Sequence, residues 1–174
     1  MTALRNPLSG ATFSGDRRYR YRLTRVWGAA WHRCVFVGLN PSDAGEVDDD
    51  PTIRKECGFA RRWGFGALDK VNLFGLISAR PERLRIEAGL AGGDPVGREN
   101  DAHLRQAIAG ARRVVFAWGS HSPPIRALVK ARLDELGWIG RLAPGCEVGT
   151  LGRNKDGTPR HPVRIAYCTE FVPQ

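Results

Sequence analysis

Cys34-Val35-Phe36-Val37-Gly38-Leu39-Asn40-Pro41-Ser42 is the stretch on which the fold turns. Its first six residues form a continuous apolar run of strand length, and the run stops at an Asn-Pro turn. A strand that is apolar at every position is buried on both faces, as in a parallel sheet covered by helices. On its N-terminal side, Arg18-Tyr19-Arg20-Tyr21-Arg22-Leu23 alternates strictly and predicts a strand with one basic and one aromatic face. On its C-terminal side, Asp50-Pro51 opens a helix, with Asp as cap and Pro at the first helical position. Ile53, Cys57, Ala60 and Trp63 share one face of that helix. Farther on, Leu68 to Phe74 and Val114 to Trp118 read as strands and Val96 to Ala109 as a helix. Ser122-Pro123 starts another helix, with Ile125, Leu128, Val129, Leu133 and Leu136 on one face and Gly137 as its stop. Two short strands joined by a loop fill the tail from Cys146 to Val172. Strand and helix thus alternate three times. The expected fold is α/β: one domain over residues 1–174, a three-layer α/β/α sandwich with a largely parallel central sheet.

Composition narrows the function classes. Hydrophobic residues make up 42% and charged residues 26%, which excludes a disordered chain. The longest apolar run falls far short of the roughly 20 residues that cross a bilayer, and Met1 to Asp16 lacks a secretory pattern. A cytoplasmic protein with no membrane partner is expected, and no feature of the sequence sets its oligomeric state. Lys plus Arg number 27 against 18 Asp plus Glu, a net charge of +9. Such a surface attracts polyanions, so nucleic acid, DNA above all, or a nucleotide is the expected partner. The competing reading is a solvated, arginine-rich surface with no specific ligand. The four cysteines show no short ligand spacing, so no metal is expected. Cys34, Cys57 and Cys168 read instead as small core residues.

Ligands of open α/β sheets bind beyond the carboxyl ends of the strands, which singles out four places. Gly38, Leu39, Asn40, Pro41 and Ser42 form the first: glycine admits a close ligand, proline fixes the turn, and Asn40 presents an amide at the rim. A plain turn is the alternative there. Asn72, in Lys70-Val71-Asn72-Leu73-Phe74, is the second. An amide inside an apolar strand must be paired, either with a neighbouring loop or with the edge of a nucleobase. In third place, Trp118-Gly119-Ser120-His121-Ser122 precedes a helix start suited to phosphate, with His121 either a site residue or an exposed loop residue. The fourth is the basic loop with Arg153, Lys155 and Arg160, ending in His161-Pro162; it reads as a phosphate-contacting arm or as a solvated hairpin. In Asp48-Asp49-Asp50, Asp50 reads as the helix cap, and Asp48 and Asp49 stay open between a structural role and cation binding.

These residues carry a resemblance. Tyr19-Arg20-Tyr21, Gly38 to Ser42, Asp49 to Arg54, Gly58 to Gly64, Val71-Asn72-Leu73-Phe74 and Arg160-His161-Pro162 resemble a bacterial and phage family with no assigned activity. More remotely, the order of motifs is similar to the uracil-DNA glycosylase superfamily. Gly38 to Pro41 resembles the Gly-x-Asn-Pro-Gly motif of its mismatch-specific branch, with Ser42 in place of the last glycine. Pro51 and Gly64-Phe65 are similar to a helix start and a Gly-Phe pair of that branch. Asn72 resembles the base-reading asparagine of other branches, and Ala117-Trp118-Gly119 their Leu-Trp-Gly strand end. His161-Pro162 matches the first half of their His-Pro-Ser-Pro loop, where Val163-Arg164 replaces Ser-Pro and Arg164 stands as a substitute wedge.

The resemblance implies a uracil-DNA glycosylase-like fold that hydrolyses, or at least binds, the N-glycosidic bond of a flipped-out damaged or modified base. Asn40, orienting water, and His161, stabilising the departing base, are the expected catalytic residues. Gly38, Pro41, Ser42, Asn72, Phe74, Trp118, Gly119 and His121 are expected to bind substrate. Arg153, Lys155, Arg160 and Arg164 are expected to grip nucleic acid. The scheme requires neither cofactor nor metal. A module that binds a modified base without cleaving it, and an enzyme acting on free nucleotides or nucleosides, are the alternatives.

Overall fold

Alternate residues of the Cys34–Leu39 run face opposite ways. Val35 and Val37 join one buried cluster with Leu104, Ile125 and Val129. Cys34 and Phe36 join a second with Ile53, Cys57 and Ala60. One strand therefore feeds two cores, and an unbroken apolar run is what that requires.

The computed structural model describes residues 8–28, 32–42, 48–137 and 145–174. Its strands are β1 (Gly10–Phe13), β2 (Arg20–Val26), β3 (Arg33–Gly38), β4 (Ala67–Asn72), β5 (Ala111–Phe116), β6 (Glu147–Thr150) and β7 (Val172–Pro173). Its helices are α1 (Pro51–Arg62), α2 (Glu82–Ala88), α3 (Asn100–Ala109) and α4 (Pro123–Glu135), with a 3₁₀ turn at Pro162–Arg164. The strands form one sheet in the order β1-β2-β4-β3-β5-β6-β7. Residues of α1 fill the second cluster, and residues of α2, α3 and α4 fill the first.

The sheet is mixed, which corrects the expectation of a largely parallel one. Only β4-β3-β5-β6 run parallel; β1, β2 and β7 join antiparallel. Parallel neighbours need a crossover of a dozen residues or more, whereas β1 and β2 are linked by a short turn, which makes them antiparallel. Alternation of strand and helix shows the crossovers but is silent on the direction of flanking strands.

The alternation of Arg18 to Leu23 is interrupted too. Pairing slips between Thr12 and Phe13, so that Arg22 and Arg20 have partners on β1 and Tyr21 has none. This bulge puts Tyr21 in the first cluster and leaves Leu23 in the second. The helix expected from Val96 starts at Asn100. Asp94 Oδ1 accepts from the main-chain N–H groups of Val96 (2.8 Å) and Gly97 (2.9 Å), and Gly97 turns the chain at φ +86°. Strand β1 and helix α2 are additions to the expected elements. Cys34 and Cys57 are buried, but Cys168 is exposed, because it lies in a turn beyond the 3₁₀ segment. No helix among the described residues is long and apolar enough to cross a membrane. The reading of the N-terminal stretch falls partly on residues 1–7, which lie outside the described residues.

Candidate functional site

Gly38 ends β3, Asn72 ends β4, and Trp118 follows the last residue of β5 by two. Beyond these strand ends lies a cavity of about 170 Å³, lined in part by Gly38, Asn40, Asn72, Trp118, His121 and His161. Sites for drug-sized ligands hold roughly 300–1,000 Å³, so this one suits a single ring or a phosphate-sized group. Stretches far apart in sequence thus meet at one place.

Asn72 is the most telling of them. Its side chain is buried, and its Oδ1 has no hydrogen-bond partner among the described residues. Asn100 Nδ2 donates to the main-chain oxygens of Asn72 (3.1 Å) and Leu73 (3.2 Å), fixing the end of β4 without engaging the Asn72 amide. An orphaned buried acceptor costs about 1–3 kcal/mol, a cost that a ligand donor removes.

Beneath it lies an ion pair. Lys70 Nζ stands 2.6 Å from Glu56 Oε1, both side chains are buried, and Glu56 Oε2 has no partner among the described residues. Burial pushes the Glu56 carboxyl above its ordinary value, against the opposing pull of Lys70. Arg20, which the bulge leaves on this side, also lines the cavity. Lys70, Glu56 and Arg20 were not among the expected site residues. The signals were a carboxylate on the apolar face of α1, beside Ile53, Cys57 and Ala60, and a lysine inside a buried strand.

Gly38 makes the arrangement possible. A Cβ there would lie 2.6 Å from both Asn72 Oδ1 and Lys70 Nζ. Gly38→Ala should therefore destabilise the fold by about 1–3 kcal/mol in denaturant unfolding, as overpacking does. Adding Asn72→Ala should recover part of that loss. Strictly additive costs would show that the two sites do not press on each other.

Around the rim, Asp50 Oδ1 accepts from the main-chain N–H of Ile53 (2.8 Å), capping α1 as expected, and Oδ2 accepts from Ser42 Oγ (2.7 Å). Partial burial works to raise the Asp50 pKa, but these hydrogen bonds win and hold it below the usual carboxylate range. Asp49 pairs with Arg25 at 2.7 Å. Asn40 Nδ2 donates to the main-chain oxygens of Pro41 (3.0 Å), Leu76 (3.3 Å) and Ser78 (2.8 Å), so this amide braces the 76–78 loop.

Two histidines also line the cavity. His121 Nε2 donates to Trp118 O at 2.6 Å. His161 stands at the rim, its Nδ1 accepting from the main-chain N–H of Val163 (3.4 Å), which leaves Nε2 to carry the proton of the neutral ring. Crowding of the imidazole, with the charges of Lys70 and His121, pushes its pKa down to about 4. Gly119, at φ +81°, donates its N–H to Pro159 O (3.1 Å) and lies against His161, where a Cβ would come within 3.1 Å of the histidine Cβ. It positions the His161 loop and is not part of the cavity wall.

The remaining expected residues lie elsewhere. Phe74 is buried in the first core cluster, and Pro41 is buried with its carbonyl accepting from the Ser78 N–H at 2.9 Å. Arg160 and Arg164 line a neighbouring groove of about 550 Å³ that His161 shares with the cavity. Arg153 Nη1 donates to Gly157 O (2.8 Å), folding the loop on itself, and Lys155 is exposed in that loop.

Comparison with curated proteins finds no match to the chain. Comparison with solved structures finds none either. A family model described as "Protein of unknown function (DUF1643)" matches residues 20–163. That span opens on Arg20, contains His161, and so takes in every residue lining the cavity. With most of its length matched in this way, the chain belongs to the DUF1643 family.

Proposed function

We propose that the cavity receives a single nucleobase swung out of a nucleic-acid strand, and that the protein hydrolyses its N-glycosidic bond. The observation that carries this reading is the unpartnered Asn72 Oδ1, buried at the wall of a ring-sized cavity that Trp118 also lines. An amide offers one donor and one acceptor, which matches the pairing edge of a base, and an indole offers a face for stacking. Leaving the stack costs the base a few kcal/mol, which Arg164, in the groove that His161 shares, would help to offset as the substitute wedge. The fold proposed with this chemistry is the three-layer sandwich of the uracil-DNA glycosylase superfamily, on the motif resemblances above.

In the reaction, the bond between C1′ and the base nitrogen breaks and its electron pair leaves with the base. Water adds to the cationic sugar, and its proton goes to the base or to solvent. His161 Nε2–H donates toward the charge growing on the base. Asp50, ionised at neutral pH, faces the positive sugar and orients the water. Asn40 acts through the loop it braces. No residue here needs a metal or cofactor for these roles.

The test is incubation of the purified protein with oligonucleotides carrying uracil, hydroxymethyluracil or glucosylated bases, followed by detection of abasic sites. Asn72→Ala should raise KM with little change in kcat if it reads the base. Absence of abasic product on every base removes the catalytic claim. The bonds of Asn40 Nδ2 to three carbonyls favour a second reading, in which the pocket holds a modified base without cleaving it. It expects base-dependent binding with no product.

A further inference from the structure

A second depression, of about 470 Å³, is lined by Arg17, Arg18, Arg80 and Arg83 along the 76–79 segment. Ser78 and Ala79 line both this groove and the cavity, and His161 lines both the cavity and the Arg160–Arg164 groove. The cavity therefore adjoins one groove at Ser78 and Ala79 and the other at His161.

We infer that the Arg17–Arg83 groove, which adjoins the cavity at Ser78 and Ala79, binds a phosphodiester backbone, so the ligand is a polynucleotide strand that spans both grooves and not a free nucleotide. This rests on reading the cavity as a base pocket. Every internal nucleotide carries a phosphate on each side, and here a pocket for one ring adjoins two separate arginine-lined grooves. A mononucleotide would use one groove and leave the other without a ligand. Arg80 and Arg83 are exposed and have no acidic partner among the described residues. Arg18 is paired with Glu87 at 2.8 Å and Arg17 lies 4.0 Å over the Phe13 ring, so Arg80 and Arg83 supply the uncompensated charge of the groove. Planar guanidinium groups match phosphate oxygens in pairs, a geometry that ammonium groups lack.

The experiment measures binding of a short fluorescent single-stranded oligonucleotide across a salt series, for the full chain and for R80A/R83A. The variant should reduce the slope of log K against log salt by about 1–1.5, the release expected for two single-strand phosphates. It should also weaken low-salt binding about tenfold. Thermal unfolding of the variant should match the parent because both residues are exposed, and R80K/R83K should keep the slope as a second check. An unchanged slope overturns the groove assignment even if binding depends on the base. A reduced slope with binding that ignores both the base and Asn72→Ala keeps the phosphate groove and sinks the base pocket. Equal displacement by a polyglutamate peptide of matched charge overturns the nucleic-acid assignment in favour of an acidic protein partner.

Discussion

Lys70→Met should destabilise the protein by about 3–5 kcal/mol, measured as the free energy of urea unfolding at neutral pH. Lys70 is the partner of Glu56, whose carboxylate is fully buried. Removing the ammonium leaves a charge in the core with one oxygen already unsatisfied. The sign of the pH response follows from the same burial. The Glu56 pKa is raised above its ordinary 4.5 in the folded state, so protonation favours folding. The stability this supplies is full below 4.5 and is lost as pH rises through the folded value. Lys70→Met should therefore recover stability on acidification from neutral pH. Lys70→Met combined with Glu56→Leu should come within about 1–2 kcal/mol of the parent, because an apolar pair of similar volume removes both desolvation costs. A Lys70→Met protein as stable as the parent would contradict the burial of the pair.

That pair also marks the limit of what the chain discloses before folding. The run Cys34 to Leu39 was legible because apolar residues at every position over a strand's length, stopped by an Asn-Pro turn, point to a strand covered on both faces. From it followed the strand ends, and with them Asn40, Asn72, Trp118, His121 and His161, which meet at the cavity. Direction was not legible in the flanking strands, since alternation is the same whichever way a strand runs. Nor was the bulge at Tyr21, which depends on pairing with a four-residue strand, β1, that has little pattern of its own. Arg20 consequently read as one member of a basic face and not as a wall of the cavity. Glu56 was hidden for a different reason: on a helix wheel its neighbours are apolar, and only the approach of Lys70 from β4 explains a carboxylate among them. Phe74 and Pro41 sit in motifs next to residues that line the cavity, and motif proximity could not separate the lining residues from their supports.

His161→Ala should lower the single-turnover rate of base release by about 10²–10³, the loss seen when one donor to a developing anion is deleted. Oligonucleotide affinity should change far less, since the binding roles fall to Asn72, Trp118 and the arginine grooves. The pH profile separates a donor from a mere filler of the rim. Because the His161 pKa is pushed down to about 4, the ring is neutral at ordinary pH and offers its Nε2–H unchanged. The parent rate should therefore show no inflection near 6.5 from this residue. A break near 6.5 that disappears in His161→Ala would mean that the imidazole titrates like a free one and that the crowding by its neighbours is not felt. His161→Gln, which keeps an N–H donor, should restore part of the rate where alanine does not. Stability supplies an independent reading of the same cause. A histidine whose folded pKa is depressed adds stability that is present above 6.5 and is lost as pH falls toward about 4. The acid limb of the unfolding curve should thus be shallower in His161→Ala than in the parent. One substitution removes the donor from the reaction and the titration from the fold, and both effects trace to an imidazole that burial, more than its charged neighbours, keeps uncharged.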